Sequence, residues 1–246
     1  MKIIDGHIHI GQWSDVFLNY NSSIDEAVTV MKESGVSSAI ALPCDTFENE
    51  KLLNDVLSVK DDFVFHFAAW INPEDKTLDS FLDKNSEHIK CLKFHPSFQR
   101  KNVLDECFRK YFDYAEDLKI PVIIHCGRWK EIASYDFPIA LAKQRPGLNI
   151  ILAHLGGDQP SLCTSCAQSV KENGMDNLYL GTESVREFYF VNEVVKTVGA
   201  EKVIFGSDYN LGLPNMYIPV VESLKVSQEE KELIFSGNIS RLLNLE

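Results

Sequence analysis

The sequence predicts one closed (β/α)8 TIM barrel, of the α/β class, over residues 1–246, and three observations carry that prediction. Eight short apolar runs alternate in order with helix-length amphipathic segments, the pattern of a parallel sheet covered by helices. The length of 246 residues suits a barrel, which needs about 250. Polar residues of the kind that bind metals fall at the C-terminal ends of the apolar runs, where barrels carry their chemistry. No linker, low-complexity tract or longer repeat divides the chain, so a single domain is expected.

The first strand is Ile3 to Ile10. In it His7 and His9 share one face, and Ile4, Ile8 and Ile10 are expected on the other. Ser23 and Glu26 form a capping-box pattern for a helix that carries Ala27, Val30 and Met31 and stops near Gly35. Ser38 to Leu42 is the second strand, followed by a helix around Leu52 to Val59. Phe63 to Ile71 is the third, ended by Asn72-Pro73, with Phe81 and Leu82 in the next helix. Cys91 to His95 is the fourth, closed by Pro96, and Leu104 to Leu118 has helical periodicity in Phe108, Tyr111, Phe112 and Ala115. Pro121 to Cys126, Ile150 to Leu155, Leu178 to Thr182 and Val203 to Asp208 complete the strands. Helices are expected over Ile139 to Lys143, near Cys166 to Glu172, over Phe190 to Val198 and within Ser227 to Leu245.

Composition narrows the partners. With 36 acidic and 24 basic residues the net charge is −12, which repels polyphosphate, so neither nucleic acid nor an anionic membrane is expected to bind. No apolar run approaches the roughly 20 residues of a membrane span, and no signal peptide precedes the first strand. Six cysteines lie without a disulfide-scaffold pattern, and the lone Cys163-Thr164-Ser165-Cys166 spacing has no second pair to complete a zinc site. A reducing, cytoplasmic setting and a small-molecule substrate are expected, with a homodimer left open.

Five of the seven histidines, His7, His9, His95, His125 and His154, fall at strand ends, together with Lys93 and Asp208. The alternation places His125 on the face of Ile123, His154 on that of Leu152, and Asp208 on that of Gly206. One inward histidine is usually structural. Several converging on one mouth with an aspartate call for a cation, since buried imidazoles are costly unless satisfied and imidazole and carboxylate are zinc-type ligands. One divalent metal, most simply Zn2+, is expected.

The motifs His7-x-His9, Ile124-His125-Cys126-Gly127, Leu152-Ala153-His154-Leu155-Gly156-Gly157 and Phe205-Gly206-Ser207-Asp208-Tyr209 resemble the amidohydrolase superfamily. The nearest likeness is to its amidohydrolase-related branch, which includes decarboxylases of the aminocarboxymuconate semialdehyde type. The likeness spans residue 1 to about 210 and implies a metallo-dependent hydrolase-like barrel. It implies His7, His9, His125 and Asp208 as metal ligands, and His154 with Asp208 as the catalytic pair. Lys93 matches either a carbamylated lysine between two metals or, preferred here, a structural or substrate-carboxylate lysine. His95 shares the Lys93 face and competes for that role. Arg128, beside Gly127, suits a substrate carboxylate. TatD-like nucleases share the early histidine pair, but their fourth-strand glutamate is not seen here.

The expected function is hydrolysis of a small amide, lactone or ester through a metal-activated water. The alternatives are non-oxidative decarboxylation of a small carboxylic acid, and a non-catalytic barrel stabilised by a metal. The substrate itself is not written in the motifs, because specificity lives in loops.

Overall fold

The computed structural model describes residues 1–245. Its eight barrel strands are β1 (Ile4–His9), β2 (Ser38–Leu42), β3 (Val64–Trp70), β4 (Ile89–Phe94), β5 (Val122–Ile124), β6 (Ile150–Leu152), β7 (Leu178–Gly181) and β8 (Val203–Ile204). They pair in parallel in sequence order. The barrel closes where Gly6 N donates to Phe205 O at 2.8 Å and Asp208 N donates to His7 O at 3.0 Å. A side chain at position 6 would bring a Cβ within 2.9 Å of Phe205 O, so closure depends on glycine there.

The main helices are α1 (Ile24–Glu33), α2 (Asn49–Ser58), α3 (Leu78–Lys84), α4 (Arg109–Leu118), α5 (Asp136–Gln144), α6 (Pro160–Asn173), α7 (Phe188–Val198), α8 (Pro214–Glu222) and α9 (Asn238–Leu242). Two of them start on clear local signals. Ser23 accepts from Glu26 N at 3.2 Å to open α1, and Pro160 occupies the first turn of α6, where its missing N–H costs nothing. The helix expected near Cys166 therefore begins six residues earlier, and α8 occupies a stretch where no helix was expected. The C-terminal helical run begins at a full capping box, Ser227 with Glu230. No helix among the described residues is long and apolar enough to cross a membrane.

Two apolar layers result. The outer one packs strand side chains such as Ile8, Phe94 and Leu152 against the helices. The inner one fills the barrel with Ile4, Ile40, Cys91, Ile123, Ile151, Tyr179 and Ile204, and Ile239, Leu242 and Leu243 of the C-terminal run join it. Ile4 thus lies inside the barrel, on the side the histidines face, and not opposite them as strict alternation predicts. The pairing of β1 with β2 shifts register between Asp5 and Ile8. That irregularity resets the alternation, so Ile4 points inward and His7 and His9 still do.

Most strands are shorter at their C-terminal ends than the apolar runs suggest. After β5, β6 and β8 the backbone leaves the sheet before His125, His154 and Asp208, whereas His7, His9 and Lys93 lie within their strands. His154, Ser184 and Asp208 all sit at φ near +60°, the left-handed region, which costs a non-glycine residue about 1–3 kcal/mol. At β6 this decides the geometry. Ile151 and Ala153 point inward and Leu152 outward, so plain alternation would send His154 into the wall. The left-handed turn at His154 and Leu155 brings the imidazole back to the mouth. Gly156 completes that turn at φ +90°, and a Cβ there would land on Cys166 Sγ of α6. Gly156→Ala is expected to destabilise the protein by about 2–4 kcal/mol, read from urea unfolding.

Candidate metal centre and active site

The β1 histidines meet Asp208 at the bottom of a cavity of about 930 Å³ at the C-terminal mouth. His7 Nε2 and His9 Nε2 are 3.2 Å apart, and Asp208 Oδ1 is 3.7 Å from the first and 3.6 Å from the second. All three side chains are buried.

Their outer atoms are tied down. His9 Nδ1 donates to the Pro43 carbonyl at 2.7 Å, which leaves a lone pair on Nε2. His7 Nδ1 lies 2.9 Å from Glu183 Oε1, and with the carboxylate ionised it too carries the proton on Nδ1. Two imidazole lone pairs and a carboxylate oxygen then face one point, a donor set that a divalent cation satisfies. Lys93 Nζ, 3.3 Å from His7 Nε2, is placed to donate into the same cluster.

Electrostatics agree with this donor set. Burial holds His7 well below the ordinary histidine value and His9 down to about 3, so both are neutral at neutral pH, the form in which imidazole can bind a metal. Burial alone would raise Asp208, but His7, His154, His9 and the Ser184 hydroxyl, 2.5 Å from Oδ2, hold it low and ionised. Burial lowers Lys93 to about 8 against the pull of Asp208 and Glu183. Burial likewise raises Glu183 and Asp5 to about 7.

The other residues singled out in the sequence occupy the walls. His125 lies outside the three-residue cluster, and its Nδ1 meets His154 Nε2 at 3.0 Å. His154 Nδ1 donates to Glu183 O at 3.0 Å, so His154 Nε2 is the acceptor and His125 Nδ1 the donor. The remaining nitrogen, His125 Nε2, carries the lone pair. His95 is stacked between His125, at 3.8 Å, and Trp70, at 5.5 Å, and caps the short helix Pro96–Gln99. Arg128 lines the cavity, but its Nε already donates to Asp158 Oδ2 at 2.9 Å.

Sequence reasoning missed Asp5 and Glu183. Asp5 Oδ1 accepts from His7 N and Ser207 N, joining β1 to the segment that carries Asp208. Its spacing gives it away, since Asp5, His7 and His9 form one polar series in an apolar run. Glu183 follows the seventh run, at the kind of strand end that marks the histidines.

The chain matches the family profile described as Amidohydrolase over residues 4–245. It belongs to the amidohydrolase family. Solved structures share the family's fold at low identity. The 5-carboxyvanillate decarboxylase LigW from Sphingomonas paucimobilis is 13% identical, with a TM-score of 0.76 and coverage of 100% of this chain and 99% of that one. A Pseudomonas putida protein assigned as a 2-pyrone-4,6-dicarboxylic acid hydrolase is 13% identical, with a TM-score of 0.79 and coverage of 100% and 98%. A dihydroxybenzoic acid decarboxylase from Polaromonas sp. JS666, solved with manganese and 2-nitroresorcinol, is 15% identical, with a TM-score of 0.75 and coverage of 99% and 97%. A search of curated protein sequences returned no significant match. At these identities the likeness establishes the barrel and leaves the reaction to the site.

Proposed function

We propose that this amidohydrolase-family chain is a metal-dependent hydrolase that opens a lactone, ester or amide bond in a small, ring-sized anion. The observation that carries the reading is the convergence of His7, His9 and Asp208 at the floor of a cavity whose walls are aromatic and cationic. Those three residues would hold one divalent ion, which supplies Lewis acidity toward a carbonyl oxygen and lowers the pKa of water.

The chain's own groups do the rest. Asp208, ionised and steadied at Oδ2 by Ser184, takes a proton from the attacking water and returns it to the leaving group. Lys93 adds positive charge beside the floor, where the oxyanion develops. His125 Nε2 offers a lone pair to the cavity, and the bond from its Nδ1 to His154 fixes that tautomer. Arg100 and Arg186 line the cavity, and among the described residues neither has a carboxylate within ion-pair distance. In so acidic a chain, unpaired cavity arginines suit an anionic substrate. Arg186→Met is expected to raise KM about tenfold or more with kcat nearly unchanged, in steady-state assays.

The test is metal analysis of the purified protein, followed by a screen of lactone and ester carboxylates for proton release and of amide carboxylates for amine release. Bound zinc, manganese or iron with turnover that releases a proton from an ester or lactone, or an amine from an amide, supports the reading. Protein that retains no metal on reconstitution overturns it. One observation favours decarboxylation as a second reading. Trp13, Phe17, Trp70, Phe98 and Trp129 flank the cavity and suit a flat aromatic acid, which has no acyl bond to hydrolyse. Carbon dioxide release without water consumption identifies that reaction.

A further inference from the structure

Two adjacent residues after β7 reach three groups of the site, His7 and Asp208 at the floor and His154 in the wall. The Glu183 carboxylate bonds His7 Nδ1 at 2.9 Å, the Glu183 carbonyl bonds His154 Nδ1 at 3.0 Å, and Ser184 Oγ donates to Asp208 Oδ2 at 2.5 Å. These groups come from β1 and from the segments after β6 and β8. Glu183 is only 2% exposed. Room for its side chain exists because two neighbouring strand-end positions are glycine. A Cβ on Gly181 would land on the Glu183 carboxylate, and one on Gly206 would come within 3.1 Å of it. A buried carboxylate is costly unless it is used, and here the fold clears a space for it against one imidazole.

We propose that Glu183 is a positioning residue, whose carboxylate locks His7 as the Nδ1–H tautomer and aims its Nε2 lone pair at the cation. This rests on the metal-dependent reading above. The sequence offers the strand-end glutamate but not its partner, since His7 lies 176 positions away. A carboxylate behind a ligating histidine fixes the ring and raises its basicity, and losing such a partner typically costs about 10–100-fold in metal affinity.

The experiment is zinc and manganese affinity by chelator competition, for the wild type, Glu183→Gln and Gly181→Ala, alongside the melting temperature of each metal-free protein. Glutamine keeps the size of the side chain but removes its charge. Alanine at 181 displaces the carboxylate without altering it. A loss of about 10–100-fold in affinity for both variants, with metal-free melting changed by only a few degrees, is the expected result. Unchanged affinity in Glu183→Gln, whether or not melting falls, overturns the positioning role and leaves the metal reading standing. A wild type that binds neither metal removes the metal reading and the proposal with it. A further measurement needs no variant. The ¹⁵N spectrum of metal-free wild-type protein should show His7 protonated at Nδ1 and bare at Nε2, and the opposite tautomer overturns the proposal.

Discussion

Asp208→Asn is expected to lower kcat by about 10²–10⁴-fold while the barrel stays folded. Asparagine fits the same volume and can still accept from Ser184 at its amide oxygen. It cannot take a proton from water, and it offers the cluster of His7, His9 and Lys93 no negative charge. Metal affinity should fall as well, because one of three converging donors loses its charge. The measurement is turnover at saturating metal, with circular dichroism and melting temperature as controls on folding. Activity within tenfold of the wild type would place the proton transfer elsewhere, with His154 and His125 the next groups to examine.

The second large effect is acid instability of the metal-free protein. Burial depresses His7, His95 and His125 well below 6.5, His9 to about 3 and His66 to about 4. Each stays neutral in the fold where the unfolded chain is protonated, so unfolding takes up protons below about pH 6.5 and stability falls as the pH falls. Asp5 and Glu183 act in the opposite direction. Their folded values, raised by burial to about 7, make the fold bind protons that the unfolded chain releases, which stabilises it as pH falls from 7 toward 4. The five histidines outweigh the two carboxylates. A net loss of about 2–3 kcal/mol is expected between pH 6.5 and 5.5. Urea unfolding in a chelator at the two pH values reads it directly. Equal or greater stability at pH 5.5 would mean that the histidines are not neutral in the fold. Bound metal should steepen the dependence, because its ligands must stay deprotonated.

These residues also show how far the sequence carries. Strand order and the strand-end position of His7, His9, Lys93, His125, His154 and Asp208 are legible because polar, ligand-type side chains interrupt otherwise apolar runs. Direction is less legible, since it rests on an unbroken two-residue alternation. The register shift after Asp5 and the left-handed turn at His154 both break that alternation. For Ile4 the break moves the side chain to the other layer. For His154 it rescues an inward position that the sequence assigns to the wrong face. The positions of Glu183 and Asp5 carry a signal, but their partners do not. Each works on a neighbour's free atom, and such pairings depend on barrel geometry that one sequence does not display.

The inner layer ends with Ile239, Leu242 and Leu243, and the Asp5–Ser207 bond joins positions 202 apart. During synthesis β1 can pair with β2 early, but its other edge must wait for nearly the whole polypeptide, until β8 and the segment through Asp208 emerge. Until then a six-residue strand, fully buried in the finished barrel, keeps one open edge. Loop-closure entropy over so long a separation makes the last step slow. A ribosome-bound chain halted before residue 239 should therefore remain sticky and protease-sensitive, a natural client for a holding chaperone.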